Sequence, residues 1–143
     1  MMKILSELYD RLLAEVPPPP PETGGILGAR SGIVCAAYFD FGRTHSTRAV
    51  YEPDTARLNG QIADWEQSGI AFCGMFHSHL PGEDTLSGGD RRYITRILAQ
   101  MPAQTQALFF PIILPGERLI PFRAAWTSTG VKIVSEPLER IYE

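Results

Sequence analysis

Two histidines, a serine and an aspartate follow a short apolar run near the middle of the chain. They are His77, His79, Ser87 and Asp90, and a polar loop separates the histidines from the aspartate. If His77 and His79 are extended, both side chains point to one face, because strand side chains alternate. Two imidazoles and a carboxylate, with a fourth position left to water, are typical of catalytic zinc. The spacing therefore predicts a zinc site that acidifies water and polarises a substrate carbonyl.

Other metal motifs do not fit this chain. A zincin needs His-Glu-x-x-His, and no such string occurs. A nucleoside deaminase needs a Pro-Cys-x-x-Cys pair, which is also absent. His45 is the one other histidine, and it is interpreted as an exposed turn residue, so a site with more imidazoles is excluded. The predicted site still needs a base for its water, which must be a carboxylate from elsewhere in the chain.

The elements that must position these residues can be predicted from the apolar pattern. The pattern predicts helices over 2–15, 54–67 and 88–101, a hairpin of strands 23–29 and 32–39, a buried strand over 70–76, a loop over 77–87, and strands over 106–113, 118–126 and 130–135. A further short strand is possible within 41–51, and Pro17 to Pro21 are interpreted as a rigid connector. This order predicts a mixed α/β fold, with helices covering a mixed sheet.

Composition restricts the class of protein further. The 143 residues, 44% of them apolar, predict a single domain over 1–143, and a net charge of −3 argues against nucleic-acid binding. No run approaches the roughly 18 apolar residues that a membrane span requires, and the first twelve residues lack a signal-peptide core. Cys35 and Cys73 are far apart and are expected to be buried apolar residues. We therefore expect a cytoplasmic protein with reduced cysteines.

The spacing of these residues resembles a known motif. His77-x-His79, ten residues, then Asp90, with Ser87 three before it, is similar to the JAMM motif of the JAB/MPN metallopeptidase family. The segment 21–28, Pro-Glu-Thr-Gly-Gly-Ile-Leu-Gly, resembles that family's strand with the catalytic glutamate, here Glu22. The resemblance extends over nearly the whole chain and is closest to the compact stand-alone prokaryotic members.

The resemblance implies a three-layer α-β-α fold with a mixed, partly antiparallel sheet, of the cytidine-deaminase-like JAB/MPN type. It implies Zn²⁺ bound by His77, His79 and Asp90, with Glu22 as general base and Ser87 stabilising the oxyanion. The implied reaction is hydrolysis of a peptide or isopeptide bond. The implied partner is a protein or peptide, such as the C-terminal tail of a ubiquitin-like or sulfur-carrier protein held by strand addition.

Two alternatives remain open beside this hypothesis. One is a non-catalytic MPN scaffold that binds a partner protein, and the other is a zinc amidohydrolase that acts on a small molecule. The chain also departs from the family pattern, because Leu80 stands between the second histidine and Pro81. We expect a changed loop path there without loss of metal.

Several nearby residues receive structural interpretations. Ser78 is expected to face away from the metal and support the loop, and Glu83 and Asp84 to face solvent. Arg91 and Arg92 either contact an acidic substrate or are simply solvated. Four aromatic residues are expected in the core: Trp65, Phe109, Phe110 and Trp126.

Overall fold

The computed structural model describes residues 1–40 and 53–143. The possible strand within 41–51 and His45 therefore lie outside the described residues. The helices are α1 (Ser6–Glu15), α2 (Thr55–Gln67) and α3 (Gly88–Gln100). The strands are β1 (Met2–Leu5), β2 (Gly24–Arg30), β3 (Ile33–Asp40), β4 (Ala71–Ser78), β5 (Ala107–Phe109), β6 (Ile112–Leu114), β7 (Arg118–Ile120), β8 (Phe122–Thr127), β9 (Gly130–Ser135) and β10 (Leu138–Ile141).

The strands of the described residues join into one mixed sheet. Its order is β10-β1-β3-β2-β4-β5-β8-β9, and β6 pairs with both β4 and β7. The hairpin β2–β3 is antiparallel, as is the pairing of β2 with β4, whereas β4 runs parallel to β5 and β6. Strand β4 therefore lies at the centre of the sheet, paired with β2 on one side and with β5 and then β6 on the other.

Two apolar cores lie on opposite faces of this sheet. Neighbouring residues of one strand belong to different cores: Ile26 and Met75 lie in the first, Leu27 and Phe76 in the second. Helices α2 and α3 pack on the first core, and α1 packs on the second. Strand side chains alternate between the two faces of the sheet, so each face carries its own core. Helices cover both of these cores. The predicted three-layer α-β-α fold is thus confirmed.

The predicted helix over 2–15 is wrong in its first four residues. Met2–Leu5 forms β1, which pairs in parallel with both β10 and β3, and the helix begins at Ser6. Met2 and Ile4 are fully buried. Tertiary pairing with strands distant in sequence overrides the local helical spacing here.

Two of the predicted late strands are each divided at a proline. The run 106–113 becomes β5 and β6, separated at Pro111, and the run 118–126 becomes β7 and β8, separated at Pro121. Proline has no N–H for the strand ladder, so pairing is interrupted at both positions. Strand β10 was not predicted, because its four residues carry Glu139 and Arg140 and show little apolar character.

Other predictions are confirmed in outline. The hairpin turns at Ser31 and Gly32, both with positive φ, and Asp54 caps α2 by accepting a hydrogen bond from the Arg57 N–H. Trp65 and Phe110 are buried and Phe109 is half-buried, but Trp126 is 43% exposed, so its placement in the core is wrong. Strand β4 also continues through His77 and Ser78, where a loop was predicted. No helix among the described residues is long and apolar enough to span a membrane.

Candidate metal centre

The carboxyl end of β4 positions the two histidines. His77 pairs with Ile112 of β6 in the sheet, and the His79 N–H donates to the Ile113 carbonyl. Because one residue separates them on an extended segment, both imidazoles lie on the same side. Their Nε2 atoms are 2.8 Å apart. The sheet therefore directs two ring nitrogens to one point, as the spacing predicts.

A tight turn after His79 orients its ring. The Glu83 N–H donates to the Leu80 carbonyl, and Gly82 has φ of +84°. Proline at the second position and a positive φ at the third are typical of a type II turn. The turn brings the Glu83 carbonyl within 2.9 Å of His79 Nδ1. A carbonyl only accepts hydrogen bonds, so Nδ1 carries a proton and Nε2 is the ring nitrogen that faces the site.

This turn also accounts for the shifted proline. With Leu80 after the second histidine, Pro81 occupies the turn position for which its fixed φ is suited. The side chain of Leu80 is 41% exposed and those of Glu83 and Asp84 face solvent. The predicted exposure of both acidic side chains is confirmed, but the backbone carbonyl of Glu83 faces the site.

The amino terminus of α3 supplies the aspartate and the serine. Ser87 Oγ accepts from the Asp90 N–H, and Asp90 Oδ2 accepts from the Ser87 N–H, both at 3.0 Å. This reciprocal capping box fixes the start of the helix. It holds the Asp90 carboxylate 3.5 Å from His77 Nε2 and 3.2 Å from His79 Nε2. Ser87 therefore caps the helix and also lies in the site.

Glu22 reaches the site from the start of β2. In the antiparallel pairing of β2 with β4, Gly24 lies opposite His77. One residue earlier, the Thr23 N–H donates to Ser78 Oγ at 2.9 Å and the Thr23 carbonyl accepts from the Ser78 N–H at 2.8 Å. The possible ligand atoms of Glu22, His77 and His79 lie within 4.8 Å of one another. These three residues could hold a metal ion.

The two carboxylates have opposite pKa shifts. Burial raises the pKa of Glu22, although the nearby His77 and His79 oppose this rise. Burial alone would also raise the pKa of Asp90, but hydrogen bonds with both imidazoles outweigh it and hold the pKa well below its usual range. Burial would lower the pKa of His79, yet hydrogen bonds with Asp90 and the Glu83 carbonyl raise it overall. Asp90 therefore stays ionised, and Glu22 is the carboxylate of the two that takes up a proton more readily.

A cleft of about 330 Å³ opens beside these groups. Glu22, His77, Ser87 and Asp90 line it on the polar side. The remaining lining is largely apolar: Met75, Phe76, Tyr93, Ile94 and Phe110, with Gly89 and Arg96. Burial raises the pKa of the Tyr93 hydroxyl to about 12, so it stays protonated at physiological pH.

All five residues singled out in the sequence are brought to one place. Three contributors were missed or misassigned: Ser78, the Glu83 carbonyl and Tyr93. Ser78, expected to support the loop, instead holds the backbone beside Glu22, and the Glu83 carbonyl orients His79. The role of a backbone carbonyl cannot be predicted from residue types. Tyr93 lies three residues after Asp90 on the same helix, and this spacing could have predicted its place in the cleft.

The donor set fits a metal ion. His79 is 4% exposed, and its Nε2 faces both a second imidazole and a carboxylate. Neutral imidazole nitrogens with carboxylate oxygens are ligands that zinc accepts, among other divalent cations.

Comparison with known proteins gives support at the level of the fold. No protein-family model matches the chain, and no curated protein matches it. Solved structures do resemble it. A protein of Desulfitobacterium hafniense solved in solution is 18% identical, with a TM-score of 0.64 over 100% of this chain and 96% of that one. A solution structure from Salinibacter ruber is 19% identical, with a TM-score of 0.59 over 98% and 92%.

A third structure carries a family name. It is the crystal structure of a JAB1/MPN domain protein from Archaeoglobus fulgidus, 16% identical, with a TM-score of 0.53 over 98% of this chain and 97% of that one. At these identities the likeness shows the fold, which is that of the JAB/MPN domain.

Proposed function

We propose that this protein is a zinc-dependent hydrolase of the JAMM type that cleaves peptide or isopeptide bonds. The observation that carries the proposal is the convergence of Glu22, His77 and His79 within 4.8 Å, beside a carboxylate that contacts both imidazoles. The JAB/MPN fold and the motif spacing agree with it. The arrangement places four titratable groups beside a cleft, which is typical of functional sites.

His77, His79 and Asp90 would hold the metal ion. Asp90 suits this role because its lowered pKa keeps it anionic, and the capping box with Ser87 fixes its position. His79 suits it because the Glu83 carbonyl holds the ring in the required tautomer. A bound zinc ion would supply Lewis-acid activation of water and of the substrate carbonyl.

Glu22 would act as the general base. Its raised pKa lets it accept a proton from the attacking water and return it to the leaving amine. Ser87 Oγ accepts one hydrogen bond, from the Asp90 N–H, so its own proton remains available. Ser87 would donate that proton in a hydrogen bond to the oxyanion of the tetrahedral intermediate.

The substrate would be an extended peptide segment. The apolar side of the cleft suits one side chain near the scissile bond, and the polar side contains the reacting groups. The C-terminal tail of a ubiquitin-like or sulfur-carrier protein is a substrate of this kind.

The roles of the two carboxylates can be separated by experiment. Glu22→Gln should retain about one zinc per chain, measured by plasma mass spectrometry, and lose cleavage of carrier proteins that end in Gly-Gly. Asp90→Asn should lose the zinc itself. Glu66→Gln, at an exposed position on α2, serves as the matched control and should cleave normally. Cleavage by Glu22→Gln at the rate of the parent protein would contradict the proposal.

The same measurements test the two alternatives. A protein that binds no zinc would be a scaffold. A protein that binds zinc and hydrolyses small amides but no peptide tails would be an amidohydrolase, for which a 330 Å³ cleft is within the usual size range.

A further inference from the structure

Three arginines lie on the exposed side of α3, next to the candidate metal centre. Arg91, Arg92 and Arg96 are all exposed. With Gly89 and Thr95 they line an open depression of about 600 Å³. We call these three arginines and the depression the α3 basic surface.

The α3 basic surface has no internal charge partner in the described part of the chain. Among residues 1–40 and 53–143, no ion pair involves any of the three guanidinium groups. Arg96 contacts the Tyr93 ring, with 6.0 Å between the guanidinium carbon and the ring centroid. Four other arginines, Arg11, Arg118, Arg123 and Arg140, each pair with a carboxylate. Arg30 and Arg57 instead donate hydrogen bonds to the Ser68 carbonyl and the Tyr38 hydroxyl.

The placement of these charges is unfavourable for the isolated helix. Arg91 and Arg92 lie in the first turns of α3, where the helix dipole disfavours cations. Arg92 and Arg96 are four residues apart, so like charges face each other on the helix surface. An anionic ligand would relieve both effects.

The α3 basic surface is continuous with the candidate metal centre. Gly89 and Arg96 line both depressions, so a chain in the 330 Å³ cleft could continue directly onto the arginines. The protein as a whole carries a net charge of −3, so the sign of this face is opposite to that of the whole chain. A ligand drawn to it would be recognised by this face and not by overall charge.

We propose that the α3 basic surface binds an acidic segment of the peptide substrate, with Asp or Glu side chains close to the scissile bond. This inference rests on the proposed hydrolytic function for the identity of the substrate. The planar guanidinium pairs with carboxylates through two parallel hydrogen bonds, and three such groups in a row suit several acidic side chains. The segment would thereby be held across the cleft in register with Glu22.

Binding can be measured without any cleavage. We would titrate the ¹⁵N-labelled full chain with a hexaglutamate peptide and a hexaglutamine peptide, and map the shifted amide signals by NMR. Hexaglutamate should bind at least tenfold more tightly, shift signals of α3, and weaken as sodium chloride rises from 50 to 300 mM. The double variant Arg92→Glu/Arg96→Glu should bind hexaglutamate at least tenfold more weakly than the parent protein does.

A charge-matched control separates local recognition from overall charge. Lys3→Glu/Lys132→Glu changes the net charge equally at exposed positions on β1 and β9. It should change the affinity less than twofold. Equal losses in both double variants, equal binding of the two peptides, or tighter binding of single-stranded RNA or inorganic phosphate than of hexaglutamate would overturn the inference.

Failure of this inference differs from failure of the proposed function. A protein that cleaves Gly-Gly tails but binds hexaglutamate no more tightly than hexaglutamine would support the hydrolytic function and contradict the acidic docking segment. Selective binding of hexaglutamate to α3 by a protein that cleaves nothing would retain the docking surface and remove the hydrolytic mechanism.

Discussion

Ser78→Ala tests whether the buried serine between the two histidines holds the general base in place. Ser78 is fully buried, and its Oγ accepts the N–H of Thr23, which is itself only 5% exposed. Alanine removes the acceptor and leaves that N–H unsatisfied away from water. A buried donor left without a partner costs about 1–3 kcal/mol of unfolding free energy. With a urea m-value of about 2 kcal/mol/M, the unfolding midpoint should fall by roughly 1 M.

The same change should affect catalysis without affecting metal binding. Glu22 directly precedes Thr23, whereas the imidazoles are held by other contacts, so we expect kcat to fall about tenfold while zinc stoichiometry stays at one. Urea unfolding followed by fluorescence of the buried Trp65 measures the first effect, and plasma mass spectrometry with cleavage assays measures the second. Ser128→Ala, at an exposed turn, is the control and should match the parent. An unchanged midpoint, or lost zinc with normal kcat in the zinc-loaded fraction, would refute the reasoning.

Three further predictions concern the turn, the metal and the half-buried thiol of Cys73. Gly82→Ala places a Cβ at φ +84°, which costs about 1–2 kcal/mol of unfolding free energy. By displacing the Glu83 carbonyl, it should also weaken zinc affinity about 10- to 100-fold in chelator competition. The control Gly60→Ala, within α2, should stabilise the protein instead. Zinc at about 1,000 times its Kd should raise the unfolding temperature in calorimetry by about 10 °C relative to EDTA, and Asp90→Asn should abolish the increase. Burial raises the pKa of Cys73 from 9.0 to about 12, so the unfolded thiol ionises first as pH rises. The free energy of unfolding should therefore drop by roughly 1 kcal/mol between pH 8 and pH 10, and a Cys73→Ala variant that shows the same drop would contradict this origin.

Local sequence was sufficient to predict most of the features nearest the site, although it predicted a loop at His77 and Ser78, where β4 continues. The α3 capping box depends on Ser87 and Asp90, three residues apart, and the β2–β3 hairpin on a short turn at residues 31 and 32. The alternation at the end of β4, which continues into the extended residue after it, determines that His77 and His79 share a side. Each of these features depends on contacts within a few residues, which is why spacing alone predicts them.

Tertiary structure decided the features that depend on contacts distant in sequence. Met2–Leu5 is helical in pattern but becomes a strand, because β10 and β3 offer it hydrogen-bonding partners. The approach of Glu22 to His77 depends on antiparallel pairing across more than fifty residues, held by the Thr23–Ser78 hydrogen bonds. The turn brings the Glu83 carbonyl to His79 Nδ1, but this contact orients the ring only because pairing with Ile113 holds His79 in place.

The order and chemical types of the ligands are therefore properties of the sequence by itself. Their convergence around one point, the opposite pKa shifts of Glu22 and Asp90, and the cleft between the sheet and α3 are properties of the folded chain. The physical reason is that burial and the distances between charges determine these properties, and both exist only after the strands have paired.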